Sequence, residues 1–190
     1  MTETLTLYHN PGSRSERVHK LLELTELPFR VVTVRPEDLK SPDYLAINPL
    51  GMLPTLVHGD RVILESAAQM MYIADLVPHQ GLAPPIGTPD RGTWYEWFVL
   101  SVATVEPLAM PGILDPDDPD KRARLRRAMA ILEDRIHGPT CMASFTAVDV
   151  LVHWQMSFCA SRGYLDGMPR ALAYVEGLAP RLRWSDGRAA

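Results

Sequence analysis

Asn48-Pro49-Leu50-Gly51-Met52-Leu53-Pro54-Thr55-Leu56 is the stretch on which the reading of this chain turns. Two prolines bracket Gly51, a pattern of tight turns in which the backbone leaves helical geometry. Pro54 has no N–H to give to a ladder, so it stands at the first residue of the strand Thr55-Leu56-Val57 or just outside it. Gly59-Asp60 separates that run from Arg61-Val62-Ile63-Leu64, a two-residue hairpin turn of the Gly-X kind. Ser66-Ala67-Ala68-Gln69 then has the form of a capping box, so a helix is expected where the second strand ends. A proline at a strand edge, a hairpin and a helix N-terminus aimed back toward them predict a small polar cradle.

Upstream, Leu5-Thr6-Leu7-Tyr8 is a short strand closed by the turn signal His9-Asn10-Pro11-Gly12. Ser13-Arg14-Ser15-Glu16 has the form of a second capping box, and Val18, Leu21 and Leu22 give the following helix an apolar face. Pro28 stops it, and Phe29 to Val34 is β-branched enough to be expected as a buried strand. A short helix is expected over Ser41 to Ile47. After Ser66, the positions Ala67, Met70, Met71, Ala74 and Val77 recur at helical spacing up to Pro78. The order β-α-β-α-β-β-α predicts one α/β layer with a parallel strand pair followed by an antiparallel hairpin.

Residues 78–90 carry four prolines and two glycines, so a domain boundary is expected there, with residues 79–90 as linker. Beyond it the spacing is helical throughout, which predicts an all-α domain over residues 91–190. Trp94, Trp97, Phe98, Ser101, Val102 and Val105 form one stripe, ending at Pro107. Leu125, Ala128, Met129, Leu132 and Ile136 form the next, preceded by Asp115, Asp117, Asp118 and Asp120 near the positive helix start. From Ala147 to Cys159 apolar residues occupy more than one face, the pattern of a helix buried inside a bundle. Thr146-Ala147-Val148-Asp149 opens it as a structural cap. A last helix is expected from Pro169 to Leu178.

At 190 residues, 46% hydrophobic and 22% charged, the composition is that of a globular protein. The net charge of −4 argues against nucleic acid and anionic membranes as partners. No apolar run approaches the roughly 18 residues of a membrane span. The start, Met1-Thr2-Glu3-Thr4, lacks the basic and apolar regions of a secretory leader, so a cytoplasmic protein is expected. Two cysteines, Cys141 and Cys159, form neither a disulfide framework nor a CxxC pair, and the six histidines show no metal-ligand spacing. The spacing predicts Cys159 in the core and Cys141 exposed ahead of a helix. The basic run Lys121 to Arg127 is interrupted by Leu125 and reads as a solvated helix face.

Chemistry concentrates at two places. If the Leu53–Pro54 bond is cis, Leu53 turns outward and offers its N–H and C=O to an extended ligand by strand addition. Beside it, Ser66 and the helix N–H groups favour a carboxylate and Glu65 an ammonium group. Each residue also has a plain structural role, as turn, surface charge or cap. At the other place, Ser13 is either a simple cap or a hydroxyl placed to hydrogen-bond a thiolate, and Tyr8 and Ser15 are rivals for that donor role. A free thiol has a pKa of about 8.5, and each unit of depression corresponds to about 1.4 kcal/mol.

Together these residues resemble the cytosolic glutathione transferase family. Asn48 to Leu56 is similar to the family's Asn-Pro-x-Gly-x-x-Pro-x-Leu segment with its cis-proline, Glu65-Ser66 to the pair that holds the γ-glutamyl end of glutathione, and Thr146 with Asp149 to the cap of the central helix. The resemblance implies a thioredoxin-like first domain over residues 1–78 and an all-helical second domain. Pro11 to Val18 resembles the serine-type bacterial and fungal branches, which makes Ser13 the favoured catalytic residue and Leu53, Pro54, Glu65 and Ser66 the glutathione-binding set. No cysteine stands at 13 or 15, as thiol-transferase branches have, and the Ser-Ser-Cys motif of the isomerase branch is absent. Met52 replaces a basic residue that in many members holds the glycine carboxylate, and the segment after Trp184 is shorter than the one that often roofs the second-substrate pocket. The resemblance implies a homodimeric enzyme without a metal, which joins glutathione as co-substrate to a small apolar electrophile lodged against the helix Trp94 to Val105. The alternative is a binding or assembly module of the same fold without activity.

Overall fold

The computed structural model describes residues 4–110 and 118–184. The chain divides into two compact units, Met1–Leu82 and Ala83–Ala190. The first contains strands β1 (Leu5–His9), β2 (Phe29–Thr33), β3 (Thr55–His58) and β4 (Arg61–Ile63) with helices α1 (Ser15–Glu23), α2 (Pro42–Ile47) and α3 (Ser66–Leu76). The sheet order is β2-β1-β3-β4. β1 pairs with β2 in parallel, Leu5 beside Phe29 and His9 beside Thr33, and with β3 antiparallel, Tyr8 beside Thr55. β3 and β4 form the antiparallel hairpin, and Gly59 supplies the positive φ of 59° that the turn needs. This is the order and pairing expected of a thioredoxin-like layer.

Its core is apolar: Leu5, Leu7, Val18, Leu21, Leu22, Leu56, Met70 and Ile73 are all buried. Each such side chain contributes about 1.5–3 kcal/mol relative to an exposed one. One expectation fails here. β2 is an edge strand, not a buried one, with Arg30 to Thr33 exposed and only Val34, just past its end, buried. Its β-branched residues suit a strand, but burial depends on sheet order, and this strand is outermost.

The second unit contains α4 (Pro89–Val99), a π-helical stretch over Leu100–Val105, α5 (Glu106–Ala109), α6 (Pro119–Arg135), α7 (Ala147–Ser161) and α8 (Pro169–Leu178). Two boundaries differ from expectation. Pro89, counted with the linker, is the first residue of α4, where a missing N–H costs nothing, and Thr88 caps it by accepting from the Arg91 N–H. At the other end, helical backbone runs through Pro107 to Ala109 rather than stopping. The π stretch accounts for this: Glu106 bonds back five residues to the Ser101 carbonyl, which widens the turn just ahead of the proline ring.

α6 is capped by Asp118, whose carboxylate accepts from the N–H groups of Asp120 and Lys121, and it buries Leu125, Ala128, Met129 and Leu132. Asp115 and Asp117 lie outside the described residues. Arg122 to Arg127 is exposed except for Leu125, and Lys121 is half-buried. α7 is buried from Ala147 to Cys159. Cys141 is buried too, contrary to expectation, with its N–H given to Asp149. Burial, with Asp149 adding to it, pushes the Cys141 thiol well up; burial pushes Cys159 up to about 12.

Candidate active site

The turn before β3 is braced from inside. Asn48, buried, donates its side-chain amide to the Met52 carbonyl and to Thr55 Oγ1, both at 2.8 Å, while its own Oδ1 accepts from the Leu50 N–H. The buried Tyr44 hydroxyl donates to the same Met52 carbonyl at 2.7 Å. Gly51 has a φ of 58°, and a Cβ there would lie 2.6 Å from the Leu39 carbonyl, so only glycine fits. The Leu53–Pro54 bond is cis. Met52 is therefore tied inward and half exposed in its side chain, whereas the backbone N–H and C=O of the next residue, Leu53, take no partner among the described residues. Lys40 lies against this turn, with Nζ 3.0 Å from the Leu50 carbonyl.

The start of α1 departs from the capping box that Ser13 and Glu16 suggest. The cap position is Arg14, which makes no side-chain cap bond. Ser13 Oγ instead accepts from the Ser15 N–H at 3.2 Å and lies 2.8 Å from the Asn10 carbonyl and 2.6 Å from Ser15 Oγ. Ser15 is fully buried, and its Oγ accepts from the Asn10 N–H and lies 2.7 Å from His9 Nδ1. Two hydroxyls and an imidazole are thus strung together at the head of the helix. Burial holds His9 below its ordinary pKa, and nearby His19 adds to this, against the opposing pull of Glu16, Ser15 and Glu23.

The start of α3 departs in the same way. Ser66 is the first helical residue rather than the cap, and the cap residue Glu65 makes no side-chain cap bond. Ser66 Oγ accepts from Arg17 Nε at 3.1 Å and Nη2 at 2.6 Å, and Arg17 is buried. A guanidinium only donates, so the hydroxyl hydrogen of Ser66 is left for another acceptor. Gln69 does not reach back to the cap. Its amide donates to the carbonyls of Pro54 at 3.1 Å and Ile63 at 2.7 Å, fastening α3 to both strands of the hairpin. Glu65 is exposed and has a φ of 66°, the one non-glycine residue with positive φ among those described. Such a conformation costs on the order of 1–3 kcal/mol, and strain of this kind clusters at functional sites.

The structure thus ties Ser13 and Ser15 into one polar chain at the start of α1, and through Arg17 ties that helix to Ser66. Tyr8 stands apart from the chain, its ring 5.8 Å from that of Tyr44. In the second unit, Thr146 and Asp149 form a complete capping box. Thr146 accepts from the Val148 N–H, and the Asp149 carboxylate accepts from the Thr146 N–H at 2.8 Å and from Cys141 at 2.7 Å. No functional role follows from the sequence alone for His9, Asn10, Arg17, Lys40, Tyr44 or Gln69. Two had a signal. His9 shares strand parity with Leu5 and Leu7, and Arg17 lies four residues before Leu21 on the buried stripe of α1.

Among the described residues no helix is long and apolar enough to cross a membrane, and no three His, Cys, Asp or Glu side chains cluster to hold a metal ion. Residues 3–75 match the family model "Glutathione S-transferase, N-terminal domain". A crystal structure of a glutathione transferase from Methylococcus capsulatus is 30% identical, covering 90% of this chain and 91% of that one with a TM-score of 0.80. A glutathione S-transferase of Escherichia coli is 27% identical over 98% of each chain. A Sulfitobacter glutathione transferase homologue with bound glutathione is 25% identical, covering 93% of this chain and 92% of that one, TM-score 0.73.

Proposed function

This chain belongs to the glutathione transferase family, and we propose that it conjugates glutathione to a small apolar electrophile with Ser13 as the donor to the thiolate. In this reading the γ-glutamyl carboxylate meets the first N–H groups of α3 and the Ser66 hydroxyl, whose lone pairs Arg17 already occupies. Glu65 meets the ammonium group. The open backbone of Leu53, beside Pro54, pairs with the cysteinyl residue as an added strand. Lys40 supplies next to Leu50 the cation that Met52 lacks, and so takes the glycine carboxylate. The contact between Arg17 and Ser66 carries the reading, because it fastens the helix that follows Ser13 to the helix that follows Glu65.

The energetics suffice. Holding a thiol of pKa about 8.5 ionised at pH 7 takes roughly two units of depression, about 2.7 kcal/mol. One hydrogen bond to a charged group contributes about 1.5–3 kcal/mol and a helix N-terminus about 0.3–1. Ser13 stands two residues before α1 and offers both. The serine-type assignment, the homodimer and the cytoplasmic setting belong to the same proposal.

The test is retention on immobilised glutathione together with turnover of a chloronitrobenzene. Retention with turnover is expected. Retention without turnover, or neither, overturns the catalytic reading in favour of a binding or assembly module.

A further inference from the structure

We infer that His9 is the acceptor of the thiol proton, reached from Ser13 through Ser15; this rests on Ser13 being the group that meets the thiol. The path is three atoms long. Ser13 Oγ lies 2.6 Å from Ser15 Oγ, which lies 2.7 Å from His9 Nδ1. Both spacings are those of good hydrogen bonds. Ser15 and His9 are buried, so the hydroxyl between them bonds to protein.

The donors around the path decide what it can do. The Asn10 N–H donates to Ser15 Oγ and the Ser15 N–H to Ser13 Oγ. An N–H cannot accept, so each hydroxyl has one lone pair permanently filled. A hydroxyl has one hydrogen and one more lone pair, so two arrangements carry the hydrogens along the path without turning either hydroxyl to the Asn10 carbonyl. In the first, the thiol donates to Ser13, Ser13 to Ser15 and Ser15 to His9 Nδ1, with the imidazole hydrogen on Nε2. Moving each hydrogen one place along the path gives the second. The thiol has become thiolate, both hydroxyls remain neutral, and His9 has become imidazolium. Every bond is now reversed: His9 donates to Ser15, Ser15 to Ser13 and Ser13 to sulfur. The heavy atoms need not move, and the end state is the one in which Ser13 stabilises the thiolate. The Asn10 carbonyl, 2.8 Å from Ser13 Oγ and 3.1 Å from Ser15 Oγ, is the competing acceptor for those hydrogens. After the sulfur–carbon bond forms and the leaving group departs with its electron pair, His9 returns its proton to that group or to water.

The surroundings suit a proton held briefly. From α1, His19 has its ring 5.0 Å from that of His9 and opposes the positive charge, while Glu16 and Glu23 favour it. On β2 the residue paired with His9 is the uncharged Thr33. Burial disfavours the imidazolium and so keeps the ring neutral before transfer, while Glu16, Glu23 and the new thiolate supply the attraction that holds the proton once it arrives.

The experiment is a pH titration of glutathione bound to the full chain, followed by the ultraviolet absorbance of the thiolate, in His9→Asn, Ser15→Ala and the double variant. Asn can still hydrogen-bond Ser15 but cannot take a proton. Each single variant is expected to raise the midpoint by about one unit, a tenfold loss of thiolate at neutral pH, with the double variant no worse. The KM for glutathione is expected to change less than about twofold, because the relay does not touch the rest of the ligand. Unchanged midpoints in both variants, beside a raised one in Ser13→Ala, overturn the relay and leave the role of Ser13 standing. Full additivity in the double variant overturns it as well. An unmoved midpoint in Ser13→Ala, or no glutathione binding by the native chain, overturns the parent reading and the relay together. If His9→Asn loses its circular-dichroism signature, Ser15→Ala alone decides on the same criterion.

Discussion

Three helices begin with a hydroxyl residue followed three positions later by an acid or amide: α1 after Ser13, α3 at Ser66 and α7 after Thr146. At α7 the pattern closes on itself. Thr146 and Asp149 cap each other's backbone, and the second oxygen of Asp149 holds Cys141. At α1 and α3 the same residue types are turned to other uses. Ser13 joins Ser15, Ser66 receives Arg17, and Gln69 fastens two strands. A helix start that completes its own hydrogen bonds is structural. Where such hydroxyls take partners beyond a helix N–H, as Ser13 does with Ser15 Oγ and Ser66 with Arg17, polar capacity remains for a ligand, which is where local rules are expected to break.

Substitutions can break this contrast, and Asp149→Ala is expected to have the largest effect. It strips the N–H groups of Thr146 and Cys141 of a buried acceptor, at a cost of about 2–4 kcal/mol. A thermal midpoint lower by roughly 5–10 °C in calorimetry checks it, and an unchanged midpoint would show that α7 does not depend on its cap. Ser13→Ala should behave oppositely, lowering kcat about ten- to a hundredfold through loss of one charge-assisted hydrogen bond while the midpoint stays within a few degrees. Unchanged turnover there would move the donor role to Tyr8 or Ser15. Ser66→Ala should raise the KM for glutathione about tenfold with kcat nearly intact, the signature of lost ground-state binding in steady-state kinetics.

The smallest effect concerns two buried imidazoles, one in each unit. His153 Nδ1 accepts from the Trp184 indole at 3.0 Å, which leaves Nε2–H to donate to the Val175 carbonyl, so the ring is neutral. Burial lowers its pKa, as it does for His9. The unfolded chain binds these protons below about pH 6.5 and the folded one resists them, so their stabilisation is present above that pH and is lost as pH falls toward the folded values. His153→Gln should flatten the dependence of unfolding free energy on pH between 6.5 and 5 by up to about 1.4 kcal/mol per unit, read from urea melts. An unaltered slope would assign the acid sensitivity elsewhere.

Much of the architecture was legible because local chemistry left few choices. Pro54 had to stand at a strand edge, Gly59 had to turn a hairpin, and the apolar spacing of α6 and α7 allowed only helix. What local chemistry did not reveal was a change of helix type and the pairing of segments distant in sequence. Pro107 reads as a stop until the π stretch before it loosens the turn. Phe29 to Val34 reads as a buried strand until the sheet order leaves β2 outermost, with only Val34 buried.

By itself, then, the sequence determined the two-unit order of elements, the cradle around Asn48 to Ser66, and the hydroxyl and carboxylate groups in it. Periodicity, proline and glycine act over a few residues, and a single chain displays them in full. Only the tertiary structure decided which hydroxyls cap and which remain available. That depends on Arg17 reaching Ser66 across 49 positions, on Gln69 bridging Pro54 and Ile63, and on His9 closing beneath Ser15. A hydroxyl has one hydrogen and two lone pairs, and its role is settled by whichever donors and acceptors the fold brings within reach.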